Sequence, residues 1–272
     1  MRGVAGGERA ADRGLIGLTD IMRLCAIIPT YDNPRTLADV VAGVRAHIAD
    51  VVVVDDGSAE PARRVAEALA AAGRCHVVFR PRNGGKGAAV KTGLAWARDH
   101  GFDYALQIDA DLQHDPADIP RLVAGLSSAG DAPGTLVLAQ PVFDASAPKG
   151  RLRARKITKF WAMVETLGRK VGDPLCGYRV YPVATALRVA PRSNAMDFDP
   201  EIAVRLVWAG VSVVHVPTPV VYRSAAAGGV SHYRGVTDTL LIAAAHVRLC
   251  TEGVLRLLSW PVRALIRRLR HG

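Results

Sequence analysis

The sequence is poor in cysteine and in aromatic residues, and it has no long uncharged apolar run. Its four cysteines are far apart and form no CxxC pair, which argues against a zinc site or a disulfide framework and favours a reducing compartment. Aromatic residues make up only 6% of the chain and do not interleave with the arginines, so a nucleic-acid-binding protein is not expected. The nearest approach to a membrane-spanning run, 206–222, is interrupted by Gly210, Pro217 and Pro219.

Residues 1–22 also lack the apolar segment of a signal peptide. They are rich in glycine, alanine and charge, and we expect a flexible leader that ends where Met22, a candidate translation start, precedes the first strand. Half of the 272 residues are apolar and no repeat occurs, which indicates one globular domain at 23–236 with a tail at 237–272. The net charge of +10 favours anionic partners such as nucleotides, phosphates or acidic lipids.

From Leu24 onward, short β-rich runs alternate with helical runs. Strands are predicted to begin near 24, 51, 75 and 104, with helices at 36–47, 61–72 and 87–99 between them. This rhythm is typical of an α/β fold with a mostly parallel, Rossmann-like sheet flanked by helices. The polar motifs "PTYDN", "DDGS" and "DADLQH" each begin where a strand stops. Because ligands bind beyond the carboxyl ends of such strands, the three motifs should meet at one rim.

The third motif carries a pair of carboxylates, Asp109 and Asp111, with Gln113 close behind. Like charges that close repel each other, so we expect a positive group between them. Hard oxygen ligands suit Mg²⁺ or Mn²⁺, which share the phosphate oxygens of a substrate. A solvated turn is the plain alternative, because Asp-x-Asp is common.

The second motif and the loop after the third strand have the character of a nucleotide site. The carboxylates of Asp55 and Asp56 could accept hydrogen bonds from a base or a ribose, or simply form a turn with Gly57. "RPRNGGKGAAVKTGL" places basic residues, Lys86 among them, around a glycine-rich turn that could bind phosphate. It is not a P-loop, because Val90 stands where the second glycine is required.

Five motifs in order, "IIPTYDN", "VVVVDDGS", "NGGKGAAVKTGL", "IDADLQHDPADIPRL" and "GYRVYP", resemble family 2 glycosyltransferases with the GT-A fold. Polyprenyl-phosphate (dolichol-phosphate) mannose synthases are the most similar branch. The resemblance implies an inverting transfer of a sugar from a UDP- or GDP-sugar. It also implies a nucleotide pocket and a metal site. The nucleotide pocket would comprise Pro29, Tyr31, Asp32, Asp56, Lys86 and Asp109, and the Mg²⁺ or Mn²⁺ ligands would be Asp109, Asp111 and Gln113.

The resemblance also implies phosphate contacts in the second half of the chain. Arg179 matches an arginine near a donor or acceptor phosphate, although a structural ion pair is an equal alternative. His232 stands where the family has a lysine that closes over the diphosphate, and Arg234 or Arg223 could supply the missing charge.

The acceptor decides whether a general base is needed. A lipid phosphate is already ionised, whereas a hydroxyl of a glycolipid or metabolite requires a base. Asp197, Asp199 and Glu201 are the candidates, with Asp199 first; the alternative is that they cap a helix. A sugar nucleotidyltransferase is a weaker alternative, because "PTYDNPRTL" replaces its glycine-rich loop, and an inactive transferase domain would not need Asp109, Asp111 and Gln113.

The tail has the pattern of cationic amphipathic helices. Arg248, Glu252 and Arg256 begin its charged face, and Val247, Val254 and Leu258 lie opposite. Trp260 favours binding at the surface of an anionic membrane, with Pro261 kinking or splitting the helix. The alternative is packing on the domain with the arginines in solvent. These patterns together predict a cytoplasmic enzyme held peripherally at the cytoplasmic face of the membrane, beside a lipid acceptor.

Overall fold

The computed structural model describes residues 22–128, 134–143, 149–169, 171–220 and 234–271. The described residues form one seven-stranded sheet in the order β3-β2-β1-β4-β6-β5-β7. Its strands are β1 (Leu24–Thr30), β2 (Val51–Asp55), β3 (His76–Phe79), β4 (Tyr104–Gln107), β5 (Thr135–Phe143), β6 (Arg179–Pro182) and β7 (Ser212–Val220). The pairings of β6 with β4 and β5 are antiparallel, and the other pairings are parallel.

Helices cover both faces of this sheet. They are α1 (Leu37–Arg45), α2 (Ala62–Ala71), α3 (Lys86–Asp99), α4 (Ile119–Ala124), α5 (Lys149–Glu165), α6 (Val183–Arg188), α7 (Phe198–Trp208) and α8 (Gly235–His271). Alternate residues of β1 point to opposite faces: Cys25 and Ile27 pack with α3 and α7, and Ala26 and Ile28 pack with α1 and α4. The central strands β1 and β2 are buried on both faces, which explains their unbroken apolar runs.

The sheet directions bring the polar motifs together. Since β1, β2 and β4 are parallel, the residues that follow them lie at one rim. The antiparallel β6 starts at that same rim, because Arg179 pairs with Gln107 at the end of β4. The turn 173–178 before β6 therefore reaches the site as well.

The first half of the sequence prediction is confirmed, and the second half is corrected in three places. The composition of 147–161 predicts a basic connector leading into a helix, but the chain is already helical from Lys149. The segment 171–182, predicted to be rich in turns, contains the short strand β6. The tail is one helix that continues to His271, so Pro261 does not split it. Within the described residues, no helix combines the length and apolar character needed to cross a bilayer. The predicted leader lies outside the described residues except for Met22.

Candidate active site

A cleft of about 1000 Å³ lies at the carboxyl rim of the sheet. It brings together most of the side chains that the sequence predicted for the site, from six separate segments. The predicted residues that line it are Pro29, Tyr31, Asp56, Lys86, Asp109, Asp111, Gln113, Asp199 and Arg234. The three motifs do meet at one rim, as the parallel pattern predicts.

The two carboxylates after β4 face the same cleft. Asp111 accepts a hydrogen bond from the backbone N–H of Gln113 at 3.0 Å, so the two residues share a turn. Burial, together with the neighbouring charge of Asp109, raises the pKa of Asp111 to about 6. Two partly buried carboxylates and an amide side chain are a donor set that fits a hard divalent cation. Among the described residues no group of three or more His, Cys, Asp and Glu side chains could hold a metal, so further ligands would come from water or substrate.

The positive group beside Asp109 is Lys86, at the start of α3. Its ammonium lies 2.8 Å from Asp109 Oδ2 and 2.9 Å from Asp199 Oδ2. Burial alone would lower the pKa of Lys86, but these two carboxylates raise it. Burial would likewise raise the pKa of Asp109, and the charge and hydrogen bond of Lys86 outweigh it and lower that pKa. The lysine therefore stays charged and links α3, β4 and α7.

Lys86 and Asp109 can lie this close together because residue 177, in the turn before β6, is a glycine. A Cβ there would collide with Lys86 Nζ and lie 2.7 Å from Asp109 Oδ2. Gly177 begins the motif "GYRVYP", and the sequence alone does not predict a role for it. Its contribution is to leave space for the ion pair, which a sequence pattern does not reveal.

Asp56 organises the glycine-rich loop. Its carboxylate accepts hydrogen bonds from the backbone N–H groups of Gly84 and Gly85, the latter at 2.7 Å, and it is ion-paired with Arg80. The side chain is only 3% exposed. Asp56 therefore fixes the loop that leads to Lys86, and these partners already occupy its carboxylate oxygens, which the sequence analysis assigned to a base or ribose.

Arg179 does not fit the predicted phosphate contact. Its side chain is completely buried, and its guanidinium donates to the carbonyl oxygens of Pro174, Cys176 and Asp199. It also lies 3.7 Å from the Asp199 carboxylate. These bonds make Arg179 a structural cation that holds the turn before β6 against the start of α7, which was the alternative from the sequence.

Of the three candidate bases, only Asp199 reaches the cleft. Asp197 accepts a hydrogen bond from the backbone N–H of Ala195 just before α7, as a turn residue does. Glu201 is fully buried and bound by Arg205 and by the backbone N–H groups of Arg192 and Ser193. The buried carboxylate of Glu201 therefore holds neighbouring segments together and does not contact a substrate as a base.

Three more predicted residues do not line the cleft or lie outside the described residues. Asp32 lies beside the cleft; its carboxylate accepts a hydrogen bond from the backbone N–H of Ala59 at 2.9 Å, and its own N–H donates to Ser58. His232 and Arg223 lie outside the described residues.

Part of the cleft wall is formed by residues of α5 and α8 that were not predicted from the sequence. Arg155 of α5 lines the cleft and pairs with Asp173 at 2.8 Å. The first turns of α8, with Asp238, Thr239 and Ile242, line it as well. Helical periodicity applied to 149–165 could have identified Arg155 as a candidate site residue. The position of α8 at the cleft depends on tertiary packing.

The comparisons with known proteins agree with this geometry. The model of the family described as "Glycosyl transferase family 2" matches residues 25–180. This chain is a member of glycosyltransferase family 2. It is an enzyme of the glycosyltransferase class, and the match covers β1 to the start of β6, including the carboxylate pair.

Two curated members of the family cover most of the chain. The undecaprenyl-phosphate mannosyltransferase of Micrococcus luteus is 28% identical over 74% of this chain and 85% of its own length. The polyprenol monophosphomannose synthase of Mycolicibacterium smegmatis is 28% identical over 97% of this chain and 96% of its own length.

Among solved structures, glucosyl-3-phosphoglycerate synthase from Mycobacterium tuberculosis, in complex with Mn²⁺, UDP and glucosyl-3-phosphoglycerate, shares the fold. Its TM-score is 0.67 at 18% identity, over 87% of this chain and 83% of that one. This structural similarity covers more of the chain than the family model does, so the GT-A fold continues beyond residue 180.

Proposed function

We propose that this family 2 enzyme inverts the anomeric centre while it transfers a sugar from a UDP- or GDP-sugar to a polyprenyl phosphate at an anionic membrane. One observation carries the proposal. A single cleft joins the carboxylate pair Asp109–Asp111 to the first turns of α5 and α8, two helices whose outer surfaces are apolar. The names of the two curated relatives, one an undecaprenyl-phosphate and the other a polyprenol transferase, support the same acceptor class.

The donor diphosphate would bind beside Asp109, Asp111 and Gln113, with Mg²⁺ or Mn²⁺ held by these oxygen ligands. When bound, the ion neutralises charge that develops on the departing nucleoside diphosphate. Lys86, fixed by Asp109 and Asp199, lies within reach of the same charge and adds a second positive group. Pro29 and Tyr31, at the end of β1, would contact the nucleoside.

The acceptor phosphate would bind to arginines in the wall built by α5 and α8. Arg155 is 20% exposed in the cleft wall, and Arg234, 68% exposed, lies just before the first turn of α8. A phosphate monoester carries its nucleophilic oxygen already ionised, so the transfer needs no general base. Asp199 then serves to orient Lys86 rather than to remove a proton.

The outer surfaces of α5 and α8 support a membrane location for this acceptor. Of the exposed large hydrophobic side chains in the described residues, all but Val142 belong to α5, the turn after it, or α8. We call this set the apolar outer face; it includes Ile157, Phe160, Trp161, Val164, Leu167, Leu240, Val247, Val254, Leu255 and Leu258. Lys156 and Lys159 are exposed on the same stretch of α5 and would attract anionic lipids.

Several charged side chains of α8 contact the domain. Arg248 bonds Glu201, Glu252 pairs with Arg205, and the exposed Arg256 stacks over Trp208 at 4.6 Å. The helix also buries Ile242, Ala245 and Leu249, but it leaves many of its other large apolar side chains exposed. An exposed apolar face of this size favours a partner, and the neighbouring lysines favour an anionic bilayer.

The decisive experiment compares two acceptors that differ only in the phosphate. A thermal-shift panel of UDP- and GDP-sugars with and without Mn²⁺ first identifies the donor that stabilises the protein. That donor is then incubated with undecaprenyl phosphate and, separately, with undecaprenol. We expect glycosylation of the phosphate only. Transfer to the free alcohol would favour the hydroxyl-acceptor alternative, and the absence of any metal-dependent donor binding would contradict the assignment of the donor site.

A further inference from the structure

The segment 191–197 between α6 and α7, here called the donor-side loop, forms part of the cleft wall through Ala195 and Met196. It also packs directly on the first turn of α3, which carries Lys86. The backbone N–H of Ala88 donates to the Asn194 carbonyl at 3.0 Å. A Cβ at Gly85 would collide with that same carbonyl, and one at Gly87 would lie 3.1 Å from the Asn194 carbonyl carbon. Any displacement of the loop would therefore displace the start of α3.

Lys91 holds the loop from the α3 side. Its ammonium donates to the carbonyl oxygen of Ser193 at 3.0 Å, to that of Pro191 at 3.3 Å, and to Asn194 Oδ1 at 2.5 Å. A single side chain thus fixes three residues of the loop relative to the helix that positions Lys86.

Glu201 and Arg248 hold the loop from the other side. Glu201 accepts hydrogen bonds from the backbone N–H groups of Arg192 at 3.1 Å and Ser193 at 2.8 Å. The guanidinium of Arg248, on α8, lies 2.7 Å from Glu201 Oε2 and also donates to Ser193 Oγ at 2.9 Å. Arg248 therefore bonds the long C-terminal helix to the donor-side loop, beside a longer ion pair between Glu252 of α8 and Arg192 at 3.7 Å.

We propose that Arg248 is a positioning residue for the donor site: through Glu201 and Ser193 it fixes the donor-side loop, and with it the first turn of α3 and Lys86. The seating of α8 on the domain is thereby coupled to donor binding. This inference rests on the proposed function for the identity of the donor site, but it concerns a side chain that does not line the cleft.

Arg256 provides a matched control. It lies on the same helix, where its exposed side chain stacks over Trp208, a residue outside the donor-side loop. Replacing either arginine with glutamine removes one cation from α8 together with its contacts to the domain, which are Glu201 and Ser193 for Arg248 and Trp208 for Arg256. A purely structural role for Arg248 predicts that both variants lose thermal stability alike and bind nucleotide alike.

The test measures binding of UDP and of GDP, each with Mn²⁺, by titration calorimetry on the full chain, alongside the melting temperature. We expect R248Q to weaken binding about ten-fold, which corresponds to roughly 1.4 kcal/mol. R256Q should stay within about two-fold of the wild type. R248K should recover part of the affinity, and S193A, which removes only one acceptor of Arg248, should give a smaller loss in the same direction.

Equal nucleotide affinity in R248Q and the wild type would overturn the inference while leaving the donor site intact. If R248Q does not fold, S193A carries the test, and unchanged affinity in that variant would count against the coupling. If the wild type binds neither UDP nor GDP with Mn²⁺, the proposed function fails and the inference fails with it.

Discussion

The ammonium of Lys86 and the carboxylate of Asp109 form a partly buried ion pair, 2.8 Å apart, between the start of α3 and the end of β4. Asp199 shares the same ammonium at 2.9 Å. Lys86 therefore supplies part of the positive charge that the acidic cluster requires. A divalent ion and the donor diphosphate would add to this pair of charges, since Asp111 and Gln113 remain in the cleft wall.

Asp199→Asn separates the two acceptor classes. If Asp199 orients Lys86, the variant should bind nucleoside diphosphate several-fold more weakly and lose activity by a similar factor, because one partner of the ammonium loses its charge. If Asp199 is instead a base for a hydroxyl acceptor, turnover should fall about 10²–10⁴-fold with donor affinity unchanged. Donor affinity and turnover measured on the same preparation decide between these outcomes.

Gly177→Ala should weaken Mn²⁺-dependent nucleotide binding by about ten-fold or more, because the new methyl group would push Lys86 away from Asp109. Gly150→Ala is the matched control: Gly150 also lines the cleft, but a Cβ there meets nothing within 4 Å. Titration of both variants checks the prediction. Equal affinities would show that the ion pair tolerates the displacement.

Leu258→Glu and Phe160→Glu should each reduce binding to anionic vesicles, because they place a carboxylate on the apolar outer face, where these side chains are 72% and 53% exposed. Val142→Glu introduces the same charge on a side chain that is 56% exposed but lies on β5. Flotation with phosphatidylglycerol vesicles is the measurement. Recovery of all three variants with the lipid at the wild-type level would contradict membrane binding through this face.

Glu201→Gln should change the acid stability of the protein. Burial alone would raise the pKa of Glu201, but hydrogen bonds from Ser193, Arg192 and Arg205 lower it from 4.5 to about 2. A depressed carboxyl pKa stabilises the fold above pH 4.5, and this contribution is lost as the pH falls from 4.5 toward 2. The free energy of unfolding should therefore drop more in the wild type than in the variant over that range, by on the order of 2 kcal/mol. Parallel pH dependences in urea denaturation would contradict the assignment.

The first half of the fold and of the site could be predicted from the sequence because its signals are local. Apolar runs such as Val51–Asp55 ending in Asp56, or Tyr104–Gln107 followed by Asp109, place a carboxylate at the carboxyl end of a strand. Parallel sheets bring those ends to one rim regardless of the details of packing. Pro29, Tyr31, Asp56, Asp109 and Asp111 consequently line one cleft, as expected.

The sequence by itself thus determined the first four strands of the sheet, the position of the carboxylate pair and the amphipathic character of the tail, since each follows from periodicity or from residues adjacent in the chain. Only the tertiary structure decided which cation faces Asp109, that Arg179 and Glu201 are buried in structural networks, and which side of α8 faces the domain. These outcomes depend on contacts between segments about 20 to 110 residues apart in sequence. Such contacts are set by how helices pack on the sheet, and a local pattern in the chain does not encode that packing.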